Sequence, residues 1–323
     1  MTRWKHTAYR IARWVFFAAS LAYLVVFARD AVLGSDRNIT DLLRASIGET
    51  VLAAMLFLVA ALLSVTGWRA LLQALAHGPL PLRPLLQVFC TTQIAKYLPG
   101  NIGHHLGRVA LVRTRLGVPA MTTTLSILQE GALVVASALL VGTACFFIAP
   151  PALPTFGNVP TQWLLVAMLV AGFGTLAVIN ATRGRLHARA HGAVAWMLRA
   201  APAWPAVRGA LPPYVAIQLL NGAGVTCIAA AMTQIGSAEI ALLTGAYSLA
   251  WMVGFLLPGA PGGLGVRESS FLVLVANAFP PEVAFGIVVL SRVGNIAADA
   301  LIFLGGALAG STGDGPSAAH SPH

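Results

Sequence analysis

Residues 257–268 read LPGAPGGLGVRE, a run of proline and glycine that follows an apolar segment at residues 240–257. Proline and glycine in such a run end a helix and leave backbone N–H and C=O groups without helical partners. Inside a membrane, such a break is tolerated only where it is buried in protein or lines a wet cavity. If this part of the chain lies in a bilayer, the break predicts a helical hairpin that enters the membrane and turns within it.

A second break of the same kind lies 159 residues earlier, where residues 96–103 read KYLPGNIG after a short apolar segment at residues 85–97. Each break is followed by a short second helix, a proline turn and a long apolar helix. The two long helices carry a charge at a similar depth, Glu130 in one and Arg292 in the other, 162 residues apart. This pattern predicts an internal duplication.

The composition of the chain shows which solvent it needs. Apolar residues make up 58% of it and charged residues 9%, whereas a soluble domain carries about 25% charged residues. A water-facing surface for 323 residues cannot be built from so few charges. The net charge of +10 comes from basic residues in short runs between apolar segments, so we expect no nucleic-acid binding.

The other apolar segments predict six membrane-spanning helices, at residues 11–28, 47–65, 120–149, 162–178, 213–235 and 282–309. Each approaches or exceeds the ~20 residues that cross a hydrocarbon core of ~30 Å. With the two re-entrant hairpins, the sequence predicts an all-α integral membrane protein of eight apolar segments. The alternatives are eight ordinary spans joined by loops rich in proline and glycine, and a cleavable signal peptide in place of the first span.

The basic residues orient this arrangement. If both breaks are re-entrant hairpins, fourteen Lys and Arg residues fall on one side, which the positive-inside rule makes cytoplasmic together with the N-terminus. The hairpins then enter the cell membrane from opposite sides, and the duplication is inverted. The predicted units are an N-terminal span with an external loop (1–46), a first membrane repeat (47–179), a basic cytoplasmic loop (180–212), a second membrane repeat (213–309) and a disordered tail (310–323).

Ionisable residues inside apolar helices indicate a polar pathway. A charge at a helix centre costs about 2.5–3.5 kcal/mol on insertion unless it is paired or faces water. Arg292, Asn295 and Asp299 lie on one face of a helix, at i, i+3 and i+7. A matching stripe in the first repeat consists of Thr123, Ser126, Glu130 and Ser137. We predict an ion pair between Glu130 and Arg292; polar packing contacts with one structural ion pair are the alternative.

The two breaks are also flanked by residues suited to an anionic headgroup. Backbone N–H groups at half-helix ends favour anions, and glycine allows a ligand to approach the backbone closely, although turn geometry alone would also explain the glycines. The predicted headgroup-binding residues are Lys96, Gly100, Gly103, Arg108, Gly262, Gly263, Gly265, Arg267 and Glu268. We expect no cofactor and no metal, and we interpret the adjacent His104 and His105 as solvated or packed side chains, since neighbours on a helix point about 100° apart.

The sequences around the two breaks, together with Glu130 and Arg292, resemble the lysylphosphatidylglycerol synthase transmembrane region, a flippase-like domain of bacterial and archaeal membrane proteins. The likeness covers about residues 45–310. The resemblance implies a non-enzymatic movement of a phospholipid, or of another lipid-linked headgroup, between leaflets. Two departures matter: the sequence has no soluble aminoacyl-transferring domain, so we expect no lysylphosphatidylglycerol synthesis, and Glu130-Gly131 stands where the family often has Glu-Arg.

The expected ligand is therefore a membrane lipid with an anionic or lipid-linked headgroup. Two other functions stay open: a membrane-embedded transferase acting on a lipid carrier, and a non-transporting partner of a lipid-synthesising enzyme. A transferase should show paired, metal-binding aspartates, and those at residues 30–41 are too scattered for a convincing site. A partner protein would tolerate loss of the buried charges. The sequence leaves the oligomeric state open.

Overall fold

A computed structural model of the chain describes residues 46–97, 103–151, 203–256 and 263–311, with isolated positions between 22 and 44 and between 165 and 177. Within these ranges the chain is helical and contains no strand. Most of the predicted spans at residues 11–28 and 162–178, both hairpin tips and nearly all of the predicted tail lie outside the described residues.

Eight α-helices make up the continuous described ranges. They are α1 (Ile47–Ala76), α2 (Leu82–Thr92), α3 (Gly103–Leu116), α4 (Ala120–Ile148), α5 (Trp204–Ala230), α6 (Ser237–Leu256), α7 (Val266–Val275) and α8 (Pro281–Ser311). A 3-10 turn over Gln93–Tyr97 continues α2. The arms α2 and α3 form the first predicted hairpin, and α6 and α7 form the second.

Five of these helices, α1, α4, α5, α6 and α8, are long and apolar enough to cross a membrane. Large apolar side chains on their outer faces are at least half exposed, as at Val51, Ile148 and Leu308. Such a surface suits lipid, and it agrees with the prediction of an all-helical, multi-pass membrane protein. The arm α6 has 20 residues, so by length it could span the membrane, unlike the shorter first arm of the other hairpin.

The helix α1 is longer than predicted. The predicted span ends at residue 65 and the next apolar segment begins at residue 85, which left residues 67–84 as a connecting loop. The helix nevertheless runs on through Ala76. The reason is burial, since Trp68 and Leu72 in this stretch have no exposed surface. The helix ends at His77, which takes a left-handed conformation with φ of 52°, directly before Gly78.

The helix α5 also extends beyond its predicted span. It begins at Trp204, so residues 204–212 of the predicted basic loop are helical. Val207 and Ala210 in this first part are buried, and their packing holds the helix together although Pro212 and Pro213 lie inside it. Here tertiary contacts outweigh a strong local helix-breaking signal.

The second half of the bundle repeats the element order of the first: a long helix, two hairpin arms and a long helix. The first helices of the two halves, α1 and α5, pack against each other and run antiparallel. A Cβ atom on Gly67 would lie 2.7 Å from the Tyr214 ring, and one on Gly224 would lie 2.6 Å from the Phe57 ring. The last helix of each half packs on the first hairpin arm of the other, α4 on α6 and α8 on α2. In this packing, equivalent elements of the two halves occupy exchanged positions, and the duplication itself stays a prediction.

Two apolar clusters hold the hairpins in place. The larger one surrounds α6, where Leu243, Ala246 and Ala250 have no exposed surface. The other packs the first hairpin against α1 and α8 and includes Trp68 and Phe89. As a result, the described arms of both hairpins are packed against the long helices of the bundle.

Two adjacent glycines of α8 allow the close packing of α8 on α2 to be tested. A Cβ atom on Gly306 would lie 2.5 Å from Cys90 Cβ and 3.2 Å from the Cys90 backbone, whereas one on Gly305 would meet nothing within 4 Å. We expect Gly306→Ala to lower the free energy of unfolding by about 1–3 kcal/mol because the backbone of α2 must move away. Thermal unfolding of the purified protein in detergent measures this change.

Gly305→Ala is the matched control, since it makes the same chemical change one residue away. It should leave stability unchanged or raise it slightly, because alanine favours the helix over glycine. Equal destabilisation by both substitutions would contradict the described packing of α8 on α2.

Candidate functional site

A cavity of about 210 Å³ lies between the two hairpins, beside the middle of α8, and all eight helices contribute to its wall. The predicted stripe on α8 faces it, since Arg292, Asn295 and Asp299 all line the wall. At 1.5 Å per residue, Arg292 lies about 17 Å and Asp299 about 27 Å along α8 from Pro281. The charges therefore sit well inside a helix that is about 45 Å long.

The end of the first hairpin arm is tied to Asp299. Lys96 Nζ lies 2.7 Å from Asp299 Oδ1 and 2.6 Å from Oδ2. The Tyr97 hydroxyl donates to Oδ2 at 2.5 Å, and Gln93 Nε2 donates to Oδ1 at 3.3 Å. Asp299 itself is buried, so these three donors replace water around its carboxylate.

The second arm of the same hairpin carries Arg108, which is buried and ion-paired. Its Nη1 lies 2.8 Å from Glu130 Oε2 on α4. The guanidinium also lies over the rings of Trp68 and Phe89, 5.1 Å and 4.6 Å from their centroids. A planar, delocalised cation can lie against aromatic faces in this way while it binds a carboxylate.

The second hairpin uses Glu268 both to cap a helix and to bind Arg292. Glu268 Oε2 accepts the backbone N–H of Gly265 at 2.7 Å, where α7 begins. Its Oε1 lies 3.4 Å from Arg292 Nη1 on α8. Glu268 is not among the residues that line the cavity, and its predicted contact with a headgroup stays a prediction. The carboxylate at the first turn also complements the helix dipole.

Arg267 has no carboxylate within 4.0 Å among the described residues. Its guanidinium lies over the Tyr247 ring, 4.5 Å from the centroid, and its Nη2 donates to the Tyr247 hydroxyl. The same hydroxyl accepts Asn295 Nδ2 at 2.8 Å. Arg267 is only 9% exposed and forms part of the cavity wall.

The predicted ion pair between Glu130 and Arg292 is therefore replaced by two others. Glu130 pairs with Arg108 on the hairpin of the first half, and Arg292 pairs with Glu268 on the hairpin of the second half. In each half of the bundle, an ion pair thus joins the second hairpin arm to the last long helix. The base lies on the arm in the first half and on the long helix in the second half. The ion pair that does join the two halves is Lys96 with Asp299.

The glycines that were predicted to bind a headgroup differ in their position relative to the cavity. Gly263 lines the cavity in a left-handed conformation with φ of 72°, and a Cβ atom there would lie 3.5 Å from the Gly254 backbone. Gly265, with φ of 79°, lies off the cavity wall and donates its N–H to Glu268, while Gly103 begins α3, also off that wall. Gly100 and Gly262 lie outside the described residues.

The polar stripe on α4 serves mainly for packing. Ser126 accepts a hydrogen bond from Trp68 Nε1 at 3.0 Å, and Ser137 accepts one from Gln218 Nε2 at 3.3 Å. Thr123 donates to a backbone carbonyl of its own helix at 3.4 Å. Of the four residues in the stripe, only Glu130 reaches the cavity wall. Three of the four residues therefore make packing contacts within the protein, which is the alternative interpretation of the stripe.

Several residues of the cavity wall were not predicted as site residues. Tyr97 and Gln93 line the cavity and bind Asp299, while Tyr247 lies behind the wall and contacts Arg267. A tyrosine or glutamine close to an intramembrane charge is a signal that could have indicated these residues. His104 and His105 also line the cavity, with ring centroids 3.8 Å apart. Their Nδ1 atoms are buried and have no hydrogen-bond partner within the described ranges.

The cluster contains more cations than carboxylates. Its cations are Lys96, Arg108, Arg267 and Arg292, and its carboxylates are Glu130, Glu268 and Asp299. The hairpin tips at residues 98–102 and 257–262, which lie outside the described residues, contain no Asp or Glu in the sequence. Among the described residues of the cluster, one positive charge is thus in excess. No group of three His, Cys, Asp or Glu side chains suited to a metal ion occurs in the part of the chain that the structure describes.

The ion pair between Arg108 and Glu130 can be tested by a double-mutant cycle. Glu130→Gln or Arg108→Gln alone leaves a buried charge without its partner, which we expect to cost about 3–5 kcal/mol of unfolding free energy. The double variant should cost clearly less than the sum of the two. Denaturant unfolding in detergent micelles measures all four proteins, and additive effects would show that the two side chains do not interact.

Comparison with known proteins identifies the family of the chain. The family described as the lysylphosphatidylglycerol synthase TM region matches residues 10–302 of the chain. A comparison with curated proteins finds no match. The matched range takes in both hairpins, the long helices α1, α4, α5 and α6, and most of α8. The chain therefore belongs to the family of the lysylphosphatidylglycerol synthase TM region.

Proposed function

We propose that this protein is a lipid transporter that moves a phospholipid, or another lipid-linked headgroup, between the leaflets of the cell membrane. The observation that carries the proposal is Arg267, a buried cation on the wall of the cavity with no carboxylate partner among the described residues. A buried charge is costly unless it is paired, and intramembrane charges mark substrate pathways more often than not. A lipid phosphate would supply the missing partner.

The packing of the two halves supports transport. The first helices of the halves are antiparallel, and described residues beside both breaks, among them Tyr97 and Gly263, line the same cavity. In the proposed arrangement the halves are inverted repeats, with one re-entrant hairpin entering from the cytoplasm, on the side of the N-terminus, and the other from outside. Inverted repeats with broken helices that meet near the midplane are the architecture of many transporters. Opening one hairpin at a time would then expose the cavity to one leaflet at a time.

The size of the cavity supports a headgroup as the part that enters it. Its volume of about 210 Å³ is below the roughly 300–1,000 Å³ of pockets that enclose drug-sized ligands. A whole phospholipid is larger still, so its acyl chains would stay in the surrounding lipid. The polar headgroup is the part that hydrocarbon excludes, and the cavity offers it charged and hydrogen-bonding side chains instead.

The residues at the cavity divide into two roles under this proposal. Arg267 binds the phosphate, and Lys96, Arg108 and Arg292 raise the local positive potential. Glu130, Glu268 and Asp299 hold these three cations in place. No side chain is assigned a catalytic role, and a lipid-synthesising enzyme is the proposed source of the lipid.

Transport should depend on the second hairpin. Neutralising Arg267, Glu268 and Arg292 together should slow lipid movement by at least about tenfold, because the phosphate loses its charged contact, worth about 1.5–3 kcal/mol. A leaflet-resolved assay in proteoliposomes, in which fluorescent phospholipid in the outer leaflet is quenched chemically, measures the rate.

The matched control neutralises Arg113 and Arg115, two exposed arginines on α3 outside the cavity wall. Transport by this variant should equal that of the natural sequence. If the triple variant folds normally and transports as fast as the natural sequence, the assignment of the site is wrong. If the natural protein moves no phospholipid, the transport proposal fails, and a non-transporting partner of a lipid-synthesising enzyme becomes the better explanation.

A further inference from the structure

We infer that the cavity selects headgroups that carry one net negative charge and no ammonium group, which means a phosphodiester joined to a neutral alcohol. The inference rests on the proposed function insofar as it takes the ligand to be a lipid headgroup. It goes further by naming the charge of that headgroup.

The described charges of the cluster do not balance. Three of the four cations already have a carboxylate: Lys96 with Asp299, Arg108 with Glu130 and Arg292 with Glu268. These pairs leave one positive charge, on Arg267, within a low-dielectric surrounding where an unbalanced charge is costly. A monoanionic headgroup balances it, whereas a zwitterionic or cationic headgroup does not.

The described part of the cluster offers no free acidic partner to an amine. An ammonium group inside the membrane needs a carboxylate or several good acceptors. All three carboxylates of the cluster are ion-paired within the described residues, and Glu268 and Asp299 accept further hydrogen bonds. An aminoethyl or aminoacyl headgroup would therefore have to displace an existing cation from its partner.

Arg267 has free hydrogen-bonding capacity. A guanidinium has five N–H donors, and it binds a phosphate through two of them at once. In the described ranges its one hydrogen bond goes to the Tyr247 hydroxyl. The ring and the hydroxyl of Tyr247 together hold the guanidinium in place, and four of its N–H donors are left for a phosphate.

Binding can be measured without transport. Short-chain phosphatidylglycerol, phosphatidylethanolamine and N-acetyl-phosphatidylethanolamine would be titrated into the purified full-length protein in a neutral detergent, with thermal stabilisation as the readout. Phosphatidylglycerol and the N-acetylated lipid each carry one negative charge, whereas phosphatidylethanolamine is zwitterionic. Both anionic lipids should bind at least about tenfold more tightly than phosphatidylethanolamine, as expected for one charge-assisted contact.

The variants make the test specific to one side chain. Arg267→Gln removes the excess charge, so its affinity for phosphatidylglycerol should fall about ten- to hundredfold and its preference over phosphatidylethanolamine should disappear. Arg267→Lys keeps the charge but not the planar fork of the guanidinium, so it should bind more weakly and still prefer phosphatidylglycerol over phosphatidylethanolamine. A persisting preference in this variant shows that substitution at this position does not simply unfold the protein. Arg113→Gln makes the same change in net charge on an exposed part of α3 and should bind like the natural sequence.

Equal binding of phosphatidylglycerol and phosphatidylethanolamine, no stabilisation by either anionic lipid, or an unchanged preference in Arg267→Gln would each overturn the inference. Glycerophosphoglycerol, the same headgroup without acyl chains, separates the two sources of the ligand. If it binds as tightly as the lipid, the charge rule stands but the site serves a free phosphodiester, and the lipid-transport proposal fails. Selective binding of anionic lipid without any transport would likewise support the inference while rejecting the proposed function.

Discussion

The charges at the centre of this protein have to be neutralised by other parts of the protein, because hydrocarbon cannot solvate them. Asp299 shows how this requirement shapes the fold. Its carboxylate accepts donors from Gln93, Lys96 and Tyr97, and these three residues form the end of the first hairpin arm. A broken helix end, which would otherwise expose polar backbone and a cation to lipid, is thereby held against the long helix α8.

Each half of the bundle neutralises a buried charge by an ion pair between its hairpin and its long helix, and the positions of acid and base are exchanged between the halves. In the first half an arginine on the hairpin binds an acid on the long helix, and in the second half an acid on the hairpin binds an arginine on the long helix. An ion pair within each half allows each hairpin to keep its partner if the halves move relative to each other. Only the contact of Lys96 with Asp299 joins the halves by an ion pair among the described residues, so it is the charge contact that such a movement would have to break.

Much of the architecture could be predicted from local signals. The low charge content and the apolar segments predicted a helical membrane protein, and the two Pro-Gly runs located the ends of α2 and α6 within a few residues. Local signals failed where burial outweighed them. Trp68 and Leu72 are buried and extend α1 through a predicted loop, and α5 continues through Pro212 and Pro213 because the residues before them are packed. Burial depends on neighbours that are distant in the chain, and no local pattern records it.

The sequence by itself determined which charges lie in apolar helices and that Arg292, Asn295 and Asp299 share one face, and it predicted a duplication. Periodicity and composition are local properties, and they suffice for these conclusions. Only the tertiary structure decided that Glu130 binds Arg108, that Glu268 caps α7 and binds Arg292, and that Arg267 is left with Tyr247. The choice among several oppositely charged partners depends on distances of a few ångströms between separate helices, because Coulomb energy and hydrogen-bond geometry change steeply over that range.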